Sequence, residues 1–332
     1  MIQDEEGKPR MPMETNKAKF AILCANYAAG EESLNLAAAI TRTASQQTYC
    51  TIRFLVDNGL VEDAYRAYAY FRWVDDWLDQ GTRPRTERLA FVKRQQVLMN
   101  GCYRGQPLAD LTPEERLLAD LIRCDTEPNS GLQAYIRNMM AVMAFDADRR
   151  GRLISQSELN EYTRWLAVAV TEALHYFIGH DDASPHGKMR YLAVTGAHIT
   201  HMLRDAVEDA ETGYYNIPRE VVAANGIAPW DVESKAYRDW VKKSVHKARA
   251  CFRIGRDYLA QVENLRCRVA GYAYIHRFEV ALDCIEREGC LLRAQYPERK
   301  GRGRGVEMIG WALWMALNYR QSAYVSSALP VR

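Results

Sequence analysis

The chain has 332 residues and a net charge of +2, with 48% hydrophobic and 26% charged residues, which is the composition of an ordinary globular protein. A charge this small excludes a strong electrostatic footprint for nucleic acid, and we expect no nucleic-acid partner. The eight cysteines show no CxxC spacing, which indicates reduced thiols rather than a disulfide framework. The first twenty residues carry no apolar segment of the secretory kind, so the predicted location is the cytoplasm.

Apolar residues recur at helical spacing along most of the chain, and the sequence has no clear strand patterns of alternating Val, Ile and Thr between hairpin turns. Residues 1–30 are predicted as an N-terminal lead whose start has the composition of a disordered segment. The helical stretches are predicted, in chain order, at residues 32–56, 62–80, 86–99, 113–123, 131–148, 155–178, 189–212, 218–225, 232–261, 267–293 and 306–327. The pattern predicts a single all-α domain over residues 31–296, followed by a basic loop and a C-terminal helix over 297–332.

Several helix ends carry start and stop signals. Thr112 precedes Pro113, which suits an N-cap followed by proline in the first turn. Ser155 stands three residues before Glu158, which is the spacing of a capping box. Gly213 directly follows a helical stretch and is a typical stop. These signals predict helix boundaries without reference to tertiary packing.

Residues 70–79 (YFRWVDDWLD) place three carboxylates among aromatic side chains. Asp75 and Asp79 are four residues apart, so they lie on one face of a helix, with Asp76 beside them. We call these three residues the first acidic face. Like charges this close repel one another, and a bound cation would relieve the repulsion.

Residues 202–220 (MLRDAVEDAETGYYNIPRE) repeat the arrangement about 130 residues later in the chain. Asp205 and Asp209, which form the second acidic face, again stand four residues apart, with Arg204 and Glu208 next to them. A single pair of this kind is usually a solvated surface, but two pairs with arginine and aromatic neighbours favour a function. Helix bundles build ligand sites from side chains on facing helices, so we expect the two faces to point toward each other.

Carboxylates repel phosphate, so two acidic faces can hold a phosphorylated substrate only through bridging cations. Mg²⁺ suits this role because it takes one or two protein carboxylates together with phosphate oxygens. Arg72 lies three residues before Asp75, and Arg204 directly precedes Asp205, so each arginine can donate to phosphate oxygens beside the metal. The same arginines could instead form structural ion pairs with the aspartates.

Aromatic residues lie in or near these stretches and indicate the rest of the substrate. They are Tyr49, Tyr65, Tyr68, Phe71, Trp73, Trp77, Tyr162 and Trp165. A cavity lined by such rings can hold a long apolar chain, and the π faces can stabilise a developing cation. Departure of diphosphate from an allylic carbon leaves such a cation, which a dry cavity protects from water. The residues therefore indicate prenyl diphosphate chemistry with Mg²⁺ as the cofactor.

Both acidic stretches resemble the aspartate-rich motifs of the squalene/phytoene synthase family of head-to-head prenyl transferases. The segment YAYFRWVDDWLD is similar to the first motif, Tyr-x-x-x-Arg-x-x-Asp-Asp-x-x-Asp, and LRDAVEDAETGYYNIP is similar to the second. The resemblance covers roughly residues 35–296. It implies the isoprenoid synthase fold, an all-α helix bundle with a central apolar cavity, and a C15 or C20 prenyl diphosphate as substrate.

The resemblance also implies roles for individual residues. The implied metal ligands are Asp75, Asp76, Asp79, Asp205 and Asp209. The implied catalytic residues, which line the cation or neutralise diphosphate, are Tyr68, Tyr162, Arg72 and Arg204. The candidate substrate-binding residues are Tyr49, Phe71, Arg72, Trp165, His198, His201, Arg204 and Phe278. For the two catalytic tyrosines, a purely structural place in the core is the alternative.

The chain departs from the family pattern before the second motif and in the late helix. His198 and His201 stand where the family has Gln and Asn, and Phe278 stands where a Tyr is usual. Histidine is a poor ligand for hard Mg²⁺, which prefers oxygen. An HxxH pair is also compatible with zinc, although no third ligand is evident. These changes bear on coupling and product choice more than on diphosphate ionisation.

Three functional hypotheses fit these residues. The leading one is head-to-head coupling of two farnesyl or geranylgeranyl diphosphates. The alternative is a class I terpene synthase that ionises and cyclises a single prenyl diphosphate on the same fold. The third is a non-catalytic relative, and the presence of all the key aspartates argues against it.

The last predicted helix carries Trp311 and Trp314 between Arg304 and Arg320. This arrangement would suit peripheral contact with a membrane surface. Packing of the helix on the body of the protein is the alternative. The basic segment 297–305 (PERKGRGRG) is predicted either as a solvated loop or as a flap that covers diphosphate.

Overall fold

The computed structural model describes most of the chain as helix. The residues it describes are 32–81, 83–106, 109–180, 182–296 and 304–319, with backbone alone for 304–306. The α-helices are, in order, α1 (32–44), α2 (Gln46–Leu55), α3 (Val61–Asp79), α4 (Arg85–Tyr103), α5 (Pro113–Cys124), α6 (Gly131–Arg149), α7 (Gln156–Phe177), α8 (Leu192–Glu211), α9 (Arg219–Asn225), α10 (Lys235–Leu259), α11 (Leu265–Arg287) and α12 (Arg304–Asn318). No strand occurs in this part of the chain, and the predicted all-α class is confirmed.

Three sequence predictions fall on residues outside the described ranges. They concern the N-terminal lead, residues 297–303 of the basic loop, and residues 320–327 of the last helix. The division of the chain into lead, catalytic domain and tail stays a prediction.

The predicted start signals are present as hydrogen bonds. Thr112 Oγ1 accepts from the backbone N–H of Glu115 (3.2 Å), whose carboxylate accepts from the backbone N–H of Thr112 (3.2 Å). Ser155 and Glu158 form the same reciprocal pair at the start of α7. Gly213, with a φ of 89°, follows the end of α8 as predicted. Local sequence therefore decides these helix ends.

Three predicted boundaries are wrong, and the first is the end of α4, which lies at Tyr103 rather than at residue 99. The stretch 32–56 is two helices, because Ser45 takes an extended backbone (φ −154°, ψ 101°) and its Oγ accepts from the N–H of Thr48 (3.1 Å). This N-cap starts α2 within the predicted helix. The last core helix ends earlier than predicted, at Arg287, because Gly289 takes a left-handed conformation with a φ of 63°. A residue in this conformation commonly ends a helix.

Helix α8 packs against α7, α10 and α11, while α6 packs against α3, α4 and α7. The approach of α8 to α10 is close because glycines lie in the contact. A Cβ on Gly255 would lie 2.8 Å from the Cβ of Ala193, and a Cβ on Gly196 would lie 2.9 Å from the ring of Phe252. Larger side chains at either glycine would push the two helices apart.

The C-terminal ends of α3, α6 and α8 come together, and Arg150 joins them. Its guanidinium donates to the carbonyl of Thr212 after α8 (2.9 Å) and to the carbonyl of Gly81 after α3 (3.2 Å). The backbone N–H of Gly151 also donates to the carbonyl of Gly213 (2.8 Å). Because both acidic faces lie near these ends, the contacts bring them to the same end of the bundle.

Helix α12 packs on α11. Ala312 is fully buried, and the ring of Trp311 stacks on His276 with centroids 4.6 Å apart. The opposite face of α12 leaves Trp314 and Leu317 exposed. Of the helices that the structure describes, none combines the length and the apolar composition that crossing a membrane requires. Contact with a membrane surface and a cytoplasmic location stay predictions.

Candidate active site

The first acidic face belongs to α3, where Arg72 holds two carboxylates. Its guanidinium forms an ion pair with Asp75 (3.4 Å) and a hydrogen bond with Asp76. Burial raises the pKa of Asp75 to about 7, and the charges of Asp79 and Asp146 add to the rise. Burial and the charge of Asp146 also raise the pKa of Asp79. The single arginine therefore leaves negative charge in excess on this face.

The second acidic face belongs to α8, and its two carboxylates are in different environments. Asp205 pairs with Arg204 and with His201, whose Nε2 lies 2.8 Å from Oδ2. Burial raises the pKa of Asp205, but hydrogen bonds from His201 and Arg204 outweigh it, and the pKa is lowered. Asp209 accepts a hydrogen bond of 2.7 Å from Asn216. Burial and the charge of Asp205 nevertheless raise the pKa of Asp209 to about 6.

Residues of α6 connect the two faces. The guanidinium of Arg149 donates to Asp146 (2.6 Å) and to the side-chain carbonyl of Asn216 (3.1 Å), and Asn216 in turn holds Asp209. The hydroxyl of Tyr162 donates to Asp146 (2.9 Å). The charge of Asp146 also acts on the first acidic face. Both faces therefore share one electrostatic environment.

A cavity of about 2120 Å³ lies within the bundle. Side chains of α2, α3, α6, α7, α8 and α11 line it, together with residues at the start of α12. The predicted site residues in this lining are Tyr68, Phe71, Arg72, Asp75, Tyr162, His198 and His201. Most of the other lining side chains are aliphatic or aromatic, so the predicted central apolar cavity is present.

Several predicted residues lie outside this lining. Tyr49 stacks on Tyr65 with ring centroids 5.3 Å apart, and Trp165 packs edge-on against Phe145 at 6.1 Å. Phe278 is buried on α11. Five further predicted residues lie outside the lining, on the two acidic faces described above. They are Asp76, Asp79, Arg204, Asp205 and Asp209.

The sequence of the chain matches a known protein family. Residues 41–302, which are most of the chain, match the sequence model of the squalene/phytoene synthases. The chain belongs to the squalene/phytoene synthase family. The resemblance seen in the two acidic motifs therefore extends from α2 to α11.

Two curated relatives in this family are presqualene diphosphate synthases. The enzyme of Rhodopseudomonas palustris is 28% identical over 173 residues, and the enzyme of Zymomonas mobilis is 27% identical over 212 residues. The matched parts cover 51% and 63% of this chain, and 57% and 68% of those enzymes. The chain thus spans little more than half the length of the first relative.

Solved structures share the fold of this family member. A dehydrosqualene synthase in complex with ligand superposes with a TM-score of 0.65 at 16% identity, covering 86% of this chain and 97% of that chain. The squalene synthase HpnC from Alicyclobacillus acidocaldarius gives 0.61 at 18% identity, covering 79% and 98%. At these identities the likeness shows the fold alone, and the predicted isoprenoid synthase bundle is confirmed.

The structure adds Asp146, Arg149, Asn216 and Arg277 to the residues that the squalene/phytoene synthase motifs predicted. Met139 and Asp146 both line the cavity and are seven residues apart on α6, so the carboxylate continues an apolar stripe. A charge at an apolar position is the signal that could have found Asp146. Arg149 and Asn216 carry no local signal, because their contact joins segments far apart in the chain.

Arg277 on α11 is a cation in the cavity wall that the sequence reading missed. It has no hydrogen bond or ion pair with the residues the structure describes, and its guanidinium lies over the ring of Phe278 (5.8 Å). Burial lowers the pKa of Arg277, and the charge of Arg204 adds to the effect. The guanidinium still remains protonated at any physiological pH. Arg204 and Arg277 are neighbours, and among the described residues Arg277 has no carboxylate partner. Two guanidinium groups in this arrangement favour the binding of an anion between them.

The donor set near the cavity fits Mg²⁺. No group of three or more His, Cys, Asp or Glu side chains is arranged for a metal ion among the described residues. Mg²⁺ does not need such a cage, because it keeps several waters and takes one or two carboxylates with substrate phosphates. Asp75, Asp79 and Asp209 offer oxygen ligands, and their raised pKa values indicate carboxylates short of positive charge.

Proposed function

We propose that the chain is a Mg²⁺-dependent enzyme that couples two C15 or C20 prenyl diphosphates head to head and releases diphosphate. The observation that carries this proposal is the cavity itself. Its walls are mostly apolar, and the ionic groups in the same lining include Arg72, Asp75, Asp146 and Arg277. A prenyl diphosphate has the same division into an apolar chain and an anionic head.

The size of the cavity favours coupling over cyclisation. Pockets for a single drug-sized ligand occupy about 300–1,000 Å³, whereas this cavity has about 2120 Å³. Two prenyl chains therefore have room side by side. A terpene synthase that folds one chain needs a tighter surface around its substrate. The names of the two curated relatives, presqualene diphosphate synthases, also support a coupling reaction.

The arginines are proposed to bind the diphosphate heads. Arg72 and Arg204 are engaged with aspartates, and these partners can be exchanged for phosphate oxygens when substrate and metal arrive. Arg277 has no such partner among the residues that the structure describes and would bind an anion directly. The aspartates of both acidic faces would hold Mg²⁺, which as a Lewis acid makes diphosphate a better leaving group.

Aromatic side chains are proposed to surround the cation that remains. Tyr68, Phe71 and Tyr162 line the cavity, and π faces stabilise positive charge. The hydroxyl of Tyr162 donates to Asp146 (2.9 Å), which fixes the orientation of its ring. The apolar walls exclude water that would otherwise capture the cation.

The test is incubation of the purified protein with farnesyl or geranylgeranyl diphosphate and MgCl₂, with diphosphate release measured and products identified by mass. A product with twice the substrate's carbon number is expected. A product with the substrate's own carbon number would instead support a terpene cyclase. Absence of diphosphate release with either substrate would overturn the enzyme assignment. Asp239→Asn is a suitable control, because Asp239 lies on α10 and pairs with the exposed Lys235.

A further inference from the structure

His198 is a buried imidazole without a hydrogen-bond partner in the wall of the cavity. Its relative exposure is 5%, and neither Nδ1 nor Nε2 has a partner among the described residues. Burying an unpaired polar group is unfavourable, and the large majority of such groups in proteins are paired. The unpaired ring nitrogens of His198 are therefore available to a molecule bound in the cavity.

The position of His198 is set back from the ionic groups of the second acidic face. It lies seven residues before Asp205 on the same face of α8, which corresponds to about 10 Å along the helix axis. Its ring is 5.0 Å from the ring of Tyr162, which also lines the cavity. The imidazole therefore borders the cavity beside Tyr162, about two helical turns from the carboxylate of Asp205.

We propose that His198 accepts the proton that the coupling reaction must release. This inference rests on the proposed function. Joining two allylic diphosphates breaks one C–O bond, whose electron pair leaves with diphosphate. The double bond of the second substrate then forms the new C–C bond, which leaves a cation on that substrate. The donor carbon that carried diphosphate then loses a proton, its C–H electron pair bonds to the cationic carbon and closes a three-membered ring, and the proton bonds to a ring nitrogen of His198.

The environment of His198 keeps a nitrogen lone pair available. Burial lowers the pKa of His198 to about 3, with further contributions from the charges of His201 and Arg149, so the ring is neutral at neutral pH. A carbocation is a far stronger acid than imidazolium, so even this weakened base takes its proton. The phenol of Tyr162 is a weaker base, and its hydroxyl is already bound to Asp146. Within the cavity lining, His201 is paired with Asp205 and is therefore less available.

The experiment compares the wild type with His198→Phe and His198→Gln, using farnesyl diphosphate and MgCl₂. The measured quantity is the amount of coupled, proton-loss product per diphosphate released. Phe keeps a ring next to Tyr162 but removes both nitrogens, and Gln keeps a polar group that is a much weaker base. We expect this ratio to fall about tenfold or more in both variants, with alcohols formed by water capture in its place. Because the product is counted per diphosphate released, a change in the rate of ionisation does not by itself alter this ratio.

Thr200→Val is the matched control. Thr200 is fully buried on α8, outside the cavity lining, and its hydroxyl donates to the carbonyl of Gly196 (2.8 Å). We expect this variant to keep the wild-type product ratio. Thermal unfolding checks the fold of every variant, and if His198→Phe does not fold, His198→Gln decides the question.

The outcomes separate this inference from the proposed function. If the wild type couples prenyl diphosphates and both folded His198 variants keep its product ratio, His198 is not the proton acceptor. If folded variants lose diphosphate release altogether, His198 acts in binding or ionisation and the inference is overturned. If the wild type itself releases no diphosphate, the proposed function fails and this inference fails with it.

Discussion

The guanidinium of Arg149 on α6 donates a hydrogen bond of 3.1 Å to the side-chain carbonyl of Asn216, which follows α8. The amide of Asn216 donates to Asp209 (2.7 Å) and to the backbone carbonyl of Met202 (3.3 Å). Asn216 is only 3% exposed, so these bonds are shielded from water. One amide therefore orients a carboxylate of the second acidic face relative to α6.

Removal of this amide should weaken both fold and site. We expect Asn216→Ala to lower the free energy of unfolding by about 2 kcal/mol, because buried hydrogen bonds to charged groups are lost. Urea denaturation measures this change, and diphosphate release should fall as well. Asn225→Ala is the control, because the side chain of Asn225 is exposed at the end of α9. Equal stability of the two variants would contradict the role assigned to Asn216.

We expect Asp75→Asn to raise the stability of the metal-free protein and to lower the enzymatic activity. Since burial and neighbouring charges raise the pKa of Asp75 to about 7, the folded state holds its proton more tightly than the unfolded chain does. The contribution of Asp75 to the free energy of unfolding of the wild type therefore falls as pH rises from about 4 to 7. Its side chain is 40% exposed, so after solvent screening we expect the variant to gain only about 1 kcal/mol at pH 8.

The same variant should release diphosphate at least about 100-fold more slowly, because a metal ligand is lost. Thermal unfolding in EDTA and an assay of diphosphate release measure the two effects. Asp239→Asn, at an exposed position of α10, should change neither. An Asp75→Asn enzyme that was fully active would remove Asp75 from the metal site.

Arg277→Met should impair substrate binding without harming the fold. Loss of one charge-assisted hydrogen bond to diphosphate is worth roughly 1.5–3 kcal/mol, or about 10- to 100-fold in kcat/KM. Arg277→Lys should recover part of the loss, since it restores the charge but not the planar fork. Arg266→Met at the exposed start of α11, where Arg266 pairs with Asp57, is the control. Unchanged kcat/KM in Arg277→Met would contradict an anion site at this residue.

Mg²⁺ and diphosphate should stabilise the protein together more than separately. Arg72 already pairs with Asp76, and Arg204 already pairs with Asp205. Mg²⁺ also needs phosphate oxygens to complete its coordination shell. We expect Mg²⁺ alone to shift Tm by about 1 °C or less, and Mg²⁺ with inorganic diphosphate to raise it by several degrees. A full shift with Mg²⁺ alone would indicate a metal site that is complete without substrate.

His175 should make the protein less stable in mild acid. Burial lowers its pKa to about 4, and the charge of Arg190 adds to the effect, while Tyr258 and Cys267 contact its two ring nitrogens. The unfolded chain, with a histidine pKa near 6.5, therefore binds more protons between pH 6.5 and 4. Neutral His175 therefore makes its full contribution to stability above pH 6.5. As the pH falls from 6.5 to 4, this contribution is lost and the free energy of unfolding decreases by about 2 kcal/mol.

His175→Gln removes this titration while keeping a polar side chain. Urea denaturation between pH 4 and 7 should therefore show a shallower loss of stability in the variant than in the wild type. Identical pH profiles for the two proteins would show that another group controls the acid transition.

Several features of the site follow from spacing along the chain. Asp75 and Asp79 share a face because one helical turn separates them, whatever the helix packs against. The capping pair of Ser155 and Glu158 forms for the same reason, since its partners are three residues apart. The break at Ser45 was missed because an apolar pattern continues across it, and only the backbone conformation distinguishes a cap from a helix interior.

By itself, then, the sequence determined the helices, most of their ends and the two acidic faces, because these depend on residues within a turn or two of each other. Tertiary structure alone decided that Arg149 meets Asn216 and that Arg277 stands in the cavity wall without a carboxylate partner in the part of the chain that the structure describes. Distances between remote segments are set by packing, such as the close contact of Gly255 with Ala193. No spacing within one helix encodes them.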